Sequence, residues 1–212
     1  MTTIITRTIG ATGRDYASFL TAEADVENIA TSAIGGTDLV SNDGAIVFEA
    51  DAGTYVEILN VDSTLVSDAT RNVTYRCADR AARPVIGNGT QSTTVRMRDD
   101  FTHFDGIDSF DTNGGAFKLF DSQVGLVIEN CEATSDGAGV YLSKSGANIG
   151  SAAAPCVVRN VVTKARFGVT AGGADLFVEV FNCTFLPGTT TPAGQTNYTF
   201  STTGSSDCKL SN

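Results

Sequence analysis

The sequence has no tryptophan, only four prolines and a single histidine among its 212 residues. Any hydrolytic triad would have to use that histidine, His103, and no Gly-x-Ser-x-Gly motif accompanies it. No run approaches the roughly 18 apolar residues of a membrane-spanning helix. The N-terminus also lacks the apolar segment of a signal peptide. We therefore expect no membrane partner, and synthesis in the cytoplasm.

Basic residues are scarce, since 14 Lys and Arg stand against 24 Asp and Glu, giving a net charge of -10. Phosphate backbones bind to clustered Lys and Arg, so nucleic acid is not an expected partner. The densest basic segment, residues 71–83, is interrupted by Asp79 and is typical of a solvated turn. Its arginines are Arg71, Arg76, Arg80 and Arg83.

Metal-binding patterns are missing as well. The cysteines are odd in number and widely spaced, with no Cys-x-x-Cys pair, so neither zinc nor a disulfide framework is expected. The aspartates lack calcium-loop spacing. We predict no metal and no cofactor. The five cysteines are Cys77, Cys131, Cys156, Cys183 and Cys208.

What the sequence does contain is a pattern that returns four times in its second half. Each copy is a short apolar strand that ends at Gly106, Asn130, Asn160 or Asn182, and the steps between these residues are 24, 30 and 22. Such steps are typical of a solenoid, whereas the alternative, a β-sandwich, repeats strands about every 8–12 residues. Asn and Gly adopt left-handed backbone at least cost, so these positions are predicted to be sharp corners.

Aligned copies place apolar residues in columns inside the stack and mostly polar residues outside it. The inward columns contain Thr102, Leu126, Cys156 and Val178, then Phe104, Ile128, Val158 and Val180, then Ile107, Cys131, Val161 and Cys183. The outward column contains Asp105, Glu129, Arg159 and Phe181. A second strand in each period repeats the alternation at Phe117 and Leu119, Val140 and Leu142, Phe167 and Val169, and Tyr198 and Phe200. Two inward-facing strands per period predict an all-β fold, a parallel β-helix of roughly six to eight coils.

The chain divides into three segments. Residues 1–17 are predicted to be an extended arm and entry turn, residues 18–36 a capping helix, and residues 37–212 the β-helix. The helix would begin at Ser18 and end at the glycine pair 35–36. Its apolar face would cover the open first coil. That face contains Phe19, Ala22, Val26, Ile29 and Ala33, and the polar side contains Glu23, Asp25 and Glu27.

One pair of residues suggests chemistry. Asp105 and Glu129 would be stacked on successive coils, about 4.8 Å apart, and glycoside hydrolysis uses two carboxyl groups about 5 to 9.5 Å apart. Arg159 on the next coil is a ready ion-pair partner, and no aromatic groove accompanies the pair. We therefore predict solvated outward charges, no catalytic residue and no enzyme, with a glycan hydrolase or lyase as the alternative. The surrounding acidic run comprises Asp99, Asp100, Asp105, Asp108 and Asp111.

The segments Thr6-Arg7-Thr8-Ile9-Gly10 and Gly13-Arg14-Asp15-Tyr16, with the helix that follows, resemble the N-terminal region of tailed-phage and prophage virion proteins with right-handed β-helices. The motif resemblance covers roughly residues 5 to 60 and is most similar to small tailspike-like proteins that cement the capsids of marine siphoviruses. It implies a right-handed single-stranded parallel β-helix, a structural homotrimer and the major capsid protein as partner. It also implies location on the capsid surface of the virion after synthesis in the host cytoplasm. The alternative is a tailspike or tail-fibre protein that binds or cleaves bacterial surface polysaccharide.

Overall fold

The computed structural model describes residues 1–87, 90, 93–112, 114–188 and 198–211. Two short helices, α1 (Phe19–Glu23) and α2 (Val26–Ile34), precede most of the strands. The strands are β1 (Thr3–Ile9), β2 (Gly44–Ala50), β3 (Gly53–Tyr55), β4 (Leu59–Val61), β5 (Val73–Cys77), β6 (Pro84–Ile86), β7 (Val95–Met97), β8 (His103–Asp105), β9 (Asp108–Phe110), β10 (Gly115–Leu119), β11 (Val127–Glu129), β12 (Glu132–Ser143), β13 (Asn148–Ile149), β14 (Cys156–Arg159), β15 (Val162–Phe181), β16 (Thr184–Leu186) and β17 (Tyr198–Ser211).

These strands pair in parallel, each with a strand one coil earlier or later, and they form three faces around one core. The first face contains β1, β2, β5, β8, β11, β14 and the ends of β15 and β17. The second contains β3, β6, β9, the starts of β12 and β15, and β16. The third contains β4, β7, β10, the end of β12, the middle of β15 and the start of β17. The predicted all-β parallel β-helix is confirmed.

The corners between the first and second faces are where the repeat predicted them. Gly106, Asn130, Asn160 and Asn182 have φ angles of 71°, 56°, 53° and 52°, all in the left-handed region. Two of the asparagines also connect successive coils, since Asn160 Nδ2 donates to Asn130 Oδ1 over 3.2 Å and Asn130 Nδ2 donates to Asp105 Oδ1 over 2.7 Å. Asn130 and Asn160 therefore both permit the bend and tie neighbouring coils together.

The corner geometry gives a first prediction. Asn160→Val is expected to lower the free energy of unfolding by about 1–3 kcal/mol, because a β-branched residue is strained at positive φ. Asn160→Gly relieves that strain and should lose only the contribution of the bond to Asn130, about 1 kcal/mol or less. Urea denaturation of the two variants measures the difference. Equal stability of the Val and Gly variants would contradict a left-handed corner here.

The core follows the predicted columns. Ile128 pairs in register with Phe104 on one side and Val158 on the other, and Val158 pairs with Val180. Toward the N-terminus the same column continues as Tyr75 and Phe48. We call Phe48, Tyr75 and Phe104 the aromatic column. Its rings are stacked with centroids 5.2 Å and 5.3 Å apart.

The third face agrees with the prediction except at one coil. Phe117, Val140 and Val169 pair in register and are buried. Phe167 instead pairs with Ala138 and is half-buried, because a register shift between Ser135 and Ala138 moves the inward positions along the strand. Tyr198 and Phe200 extend the pairing, and their side chains lie outside the described residues.

Three cysteines predicted to lie inside the stack do so to different degrees. Cys131 and Cys156 are fully buried and Cys183 is half-buried. Burial raises the pKa of the Cys156 thiol to about 12 and also raises those of Cys131 and Cys183. The side chain of Cys208 lies outside the described residues.

We expect Cys131 and Cys156 to resist thiol reagents in the native protein, because the thiolate is the reactive form and reagents have no access to the core. Half-buried Cys183 should react slowly and serves as the internal control. Timed labelling with iodoacetamide followed by peptide mass spectrometry measures each site. Labelling of Cys131 as fast as in urea would contradict this packing.

The N-terminal segment differs from the predicted free arm. Thr3–Ile9 is strand β1, which pairs along its whole length with β2 and lies at the edge of the first face. Ile9 at its end is fully buried. These residues therefore form part of the sheet and are not a separate extended arm.

The predicted capping helix is two helices. Ser18 is the N-cap of α1, with a reciprocal capping box to Thr21, and Gly35 ends α2 at φ 91°, both as predicted. The helix is interrupted at Ala24 and Asp25: Ala24 is the C-cap of α1, and Asp25 is the N-cap of α2. Neither helix is long and apolar enough to cross a membrane within the described residues.

Two side chains of the cap are not where helical periodicity predicted them. Ala33 is exposed. Glu23, predicted on the polar side, is buried and accepts a hydrogen bond from the Tyr75 hydroxyl, which reaches it from inside the stack. The backbone N–H of Asp62 donates to its other oxygen over 3.3 Å. Glu23 therefore connects the cap to the aromatic column.

Candidate functional site

The outward column of the first face contains the carboxylates proposed from the sequence. Strands β8 and β11 pair Asp105 with Glu129, as predicted, and Glu129 pairs with Arg159 on the next strand. In the other direction the column continues as Arg76 and Glu49. The column therefore contains both acidic and basic residues. We call its five members the charge ladder: Glu49, Arg76, Asp105, Glu129 and Arg159.

Glu129 is held by two neighbours. His103 Nε2 lies 2.8 Å from Oε1, and Arg159 Nε donates to Oε2 over 2.5 Å. Burial by itself raises the pKa of Glu129, but the bonds from Arg159 and His103 outweigh it and hold the pKa below its ordinary value. His103 projects outward beside the buried Phe104.

Asp105 is also engaged. The guanidinium of Arg80 forms an ion pair with its Oδ2, and Asn130 Nδ2 donates to its Oδ1 over 2.7 Å. Arg80 comes from the loop after β5, so its role was not evident from the strand repeat. Each carboxylate of the predicted pair thus has its own cation.

These ion pairs fit a structural role for Asp105 and Glu129 better than a role in general acid catalysis. A glycosidase needs one carboxyl group with a raised pKa to protonate the leaving group, whereas Glu129 is stabilised in its charged form. Beside the ladder lies a cleft of about 330 Å³ whose lining includes Phe101, His103 and Arg159. Both of its titratable side chains, His103 and Arg159, already bind Glu129.

The other members of the acidic run do not converge on one site. Asp99 accepts from Ser63 N over 2.8 Å, and burial raises its pKa to about 6. Asp100 accepts from Val124 N over 2.9 Å, and Asp108 from Glu132 N over 2.7 Å. Asp111 is buried. Asp99, Asp100 and Asp108 therefore hold loops and successive coils in place.

The arginines of the predicted solvated turn are paired with carboxylates from several coils. They form ion pairs with Asp68, Glu49, Asp105 and Asp108, through Arg71, Arg76, Arg80 and Arg83 respectively. That segment is therefore neutralised and does not present a basic docking patch.

The third face carries a column that the sequence analysis missed. Its outward residues pair in register as Asn60, Arg96, Lys118, Tyr141 and Thr170. We call this the third-face column. All five side chains are half-buried, and none is a carboxylate. The signal in the sequence was the alternation of Arg96 and Lys118 with apolar inward residues.

An aromatic ring orders the cations of this region. The charged groups of Arg96, Arg98 and Lys118 lie 5.7, 5.4 and 5.1 Å from the centroid of the Phe120 ring. Lys118 Nζ also lies 5.2 Å from the Tyr141 ring centroid. Cation–π contact fixes the position of a cation without cancelling its charge.

A metal centre has no support in the described part of the chain, where no group of three or more His, Cys, Asp or Glu side chains could hold an ion. Comparison with protein families found no matching family model, and comparison with curated proteins found no match. Among solved structures, a pectin methylesterase from Aspergillus niger, crystallised in a penultimately deglycosylated form, matches with a TM-score of 0.43. It is 13% identical, and the match covers 94% of this chain and 85% of the esterase. At this identity the likeness concerns the fold alone.

Proposed function

We propose that the chain is a non-enzymatic structural protein of a bacteriophage virion, which binds the outer capsid surface as a homotrimer and stabilises the shell. The observation that carries this proposal is the charge ladder. Asp105 and Glu129, the pair best placed for catalysis, are each neutralised by a cation from another part of the fold. Charges used in this way brace the coils against one another.

Outward apolar residues support association with further copies. Phe181 pairs with Arg159, beyond the end of the charge ladder on the first face, and Phe110 and Leu186 on the second face are 38% and 42% exposed. Covering such side chains with a second protein surface removes apolar area from water, which favours association. The threefold symmetry and the capsid partner rest on the resemblance of roughly residues 5 to 60 to phage cementing proteins. Binding only to assembled subunits would stabilise a shell by mass action.

The test is the position of the protein in purified particles of the virus that encodes it. Mass spectrometry of separated heads and tails should find the chain with the heads, and light scattering should give a trimer mass. Particles that lack it should lose their genome at a lower temperature, and adding the purified protein should restore resistance. Absence from the heads, or unchanged heat resistance, would overturn the proposal.

A tail protein that binds or cleaves bacterial surface polysaccharide is the second candidate. It is favoured by the stacking of Asp105 and Glu129 on adjacent strands. In that case the chain should fractionate with tails, and purified protein should release new reducing ends from host polysaccharide. Glu129→Gln should then abolish release, while Glu179→Gln, an ion-paired glutamate elsewhere on the first face, should not.

A further inference from the structure

We propose that the third-face column is a binding site for a linear acidic polysaccharide, one carrying uronate or sulfate groups. The site lies on a different face from Asp105 and Glu129 and requires no bond cleavage. Nothing in it depends on where the protein sits in a virion, so the proposal stands or fails separately from the capsid role.

The first argument is charge. In a chain of net charge -10, most Lys and Arg side chains form ion pairs, but none joins Arg96 or Lys118 to a described carboxylate. These two cations are neighbours in register on β7 and β10. Two further cations, Arg98 and Lys144, share the single carboxylate of Asp121. Positive charge therefore remains on this face.

The second argument is orientation. Phe120 and Tyr141 hold the cations through cation–π contacts, which leave their charge available to an anion. The Nε atom of Arg96 is shielded from solvent and has no hydrogen-bond partner among the described residues. The groups are thus arranged before any ligand arrives, which reduces the entropy lost on binding.

The third argument is the line of donors. Asn60, Arg96, Lys118, Tyr141 and Thr170 follow one another at the strand spacing of about 4.8 Å, so amide, guanidinium, ammonium and hydroxyl groups run along the helix axis for about 19 Å. A polymer with hydroxyl and acidic groups at regular intervals can use each of them. A small anion would need only one or two.

Other polymers fit this surface less well. A peptide gains backbone hydrogen bonds by pairing with the edge of a sheet, and the face of a sheet offers it no free N–H or C=O. Nucleic acid carries a dense charge that the acidic remainder of the chain repels. An acidic glycan has lower charge density and side groups that match side-chain donors.

The test is binding of alginate and of chondroitin sulfate to the full chain, measured by calorimetry or biolayer interferometry in moderate salt. Neutral dextran and poly-L-glutamate are the comparison polymers. We expect the two acidic glycans to bind, neutral dextran not to bind, and polyglutamate to bind at least tenfold more weakly. Failure of both acidic glycans, or equal binding of polyglutamate or neutral dextran, would overturn the proposal.

The matched variants remove equal charge from different places. The double variant Arg96→Gln with Lys118→Gln should weaken glycan binding about tenfold or more. The control double variant Lys164→Gln with Lys209→Gln removes two cations that are ion-paired with Glu132 and Glu179, and it should bind as the unaltered protein does. Equal weakening in both would mean that only net charge matters, and the site would be rejected.

A measurement on the unaltered protein covers the case in which the double variant does not fold. Acetylation with and without saturating alginate, followed by peptide mass spectrometry, reports the accessibility of each lysine. Bound glycan should slow modification of Lys118 at least threefold and leave Lys164 unchanged. Protection of Lys164 in place of Lys118 would locate binding elsewhere and refute the assignment.

Discussion

Phe104→Ala is expected to lower the free energy of unfolding by about 3–5 kcal/mol, which is the usual cost of removing a large ring from a close-packed core. Phe104 is fully buried, stacks on Tyr75 and contacts the edge of Phe117 at a centroid distance of 5.5 Å. The coils above and below are fixed by their own hydrogen bonds, so they cannot collapse into the space. Urea denaturation of the purified variant measures the loss.

Phe104→Leu is the matched control. It keeps an apolar side chain of similar reach and loses mainly the ring contacts, so we expect a smaller cost of about 1–2 kcal/mol. If the Ala and Leu variants were equally stable, the ring would not be contributing through packing, and the aromatic column would have to be abandoned as a source of stability.

The second large effect is a loss of stability in alkaline solution that depends on Glu23. Burial raises the pKa of Glu23 to about 8 in the folded protein, from an ordinary value of 4.5. The folded state therefore binds the proton more tightly than the unfolded chain does. The stabilisation from this proton is complete below pH 4.5 and disappears as the pH rises through 8.

As the pH rises from 6.5 to 9, we expect ionisation of this carboxyl group to lower the free energy of unfolding by about 2 kcal/mol. That window lies above the pKa of about 6 for Asp99, so the neighbouring carboxyl contributes little to the change. Glu23→Gln carries no ionisable proton and should show a flatter pH profile, with cysteine ionisation common to both proteins. Parallel profiles for the two proteins would refute the buried-proton explanation.

The repeat predicted the corners and register because it depends on local chemistry. A left-handed bend requires Gly or Asn, and a strand alternates inward and outward residues, so Asn130 and Asn160 could be aligned without knowing their neighbours. The register of β8, β11 and β14 follows directly from that alignment.

The cap could not be predicted in the same way. Helical periodicity assigns apolar residues to the buried face of a helix, so it placed the polar residue Glu23 on the exposed face. Its burial depends on the hydroxyl of Tyr75, which is 52 residues away in the sequence and reaches up from the stack below. A pairing of that kind is visible only after the cap has been placed on the coils.

Half of the candidate site was evident from the sequence. The stacking of Asp105, Glu129 and Arg159 follows from the strand register, but the contribution of Arg80 depends on how a loop crosses the corner. The third-face column was missed because the repeat was anchored on the first face. The linkers before β7 and β10 vary in length, so Arg96 and Lys118 are not at a fixed distance from the Asn corners.

The one-coil pairing of the strands has a consequence for how the chain acquires its structure. Each new coil closes a loop of about two to three dozen residues onto a template that already exists, so growth repeats one modest entropic step. The helical cap and the aromatic column lie toward the N-terminus, which leaves the ribosome first. The β-helix can therefore fold during translation. Its ordered part lengthens one coil at a time while the last coils are still being translated.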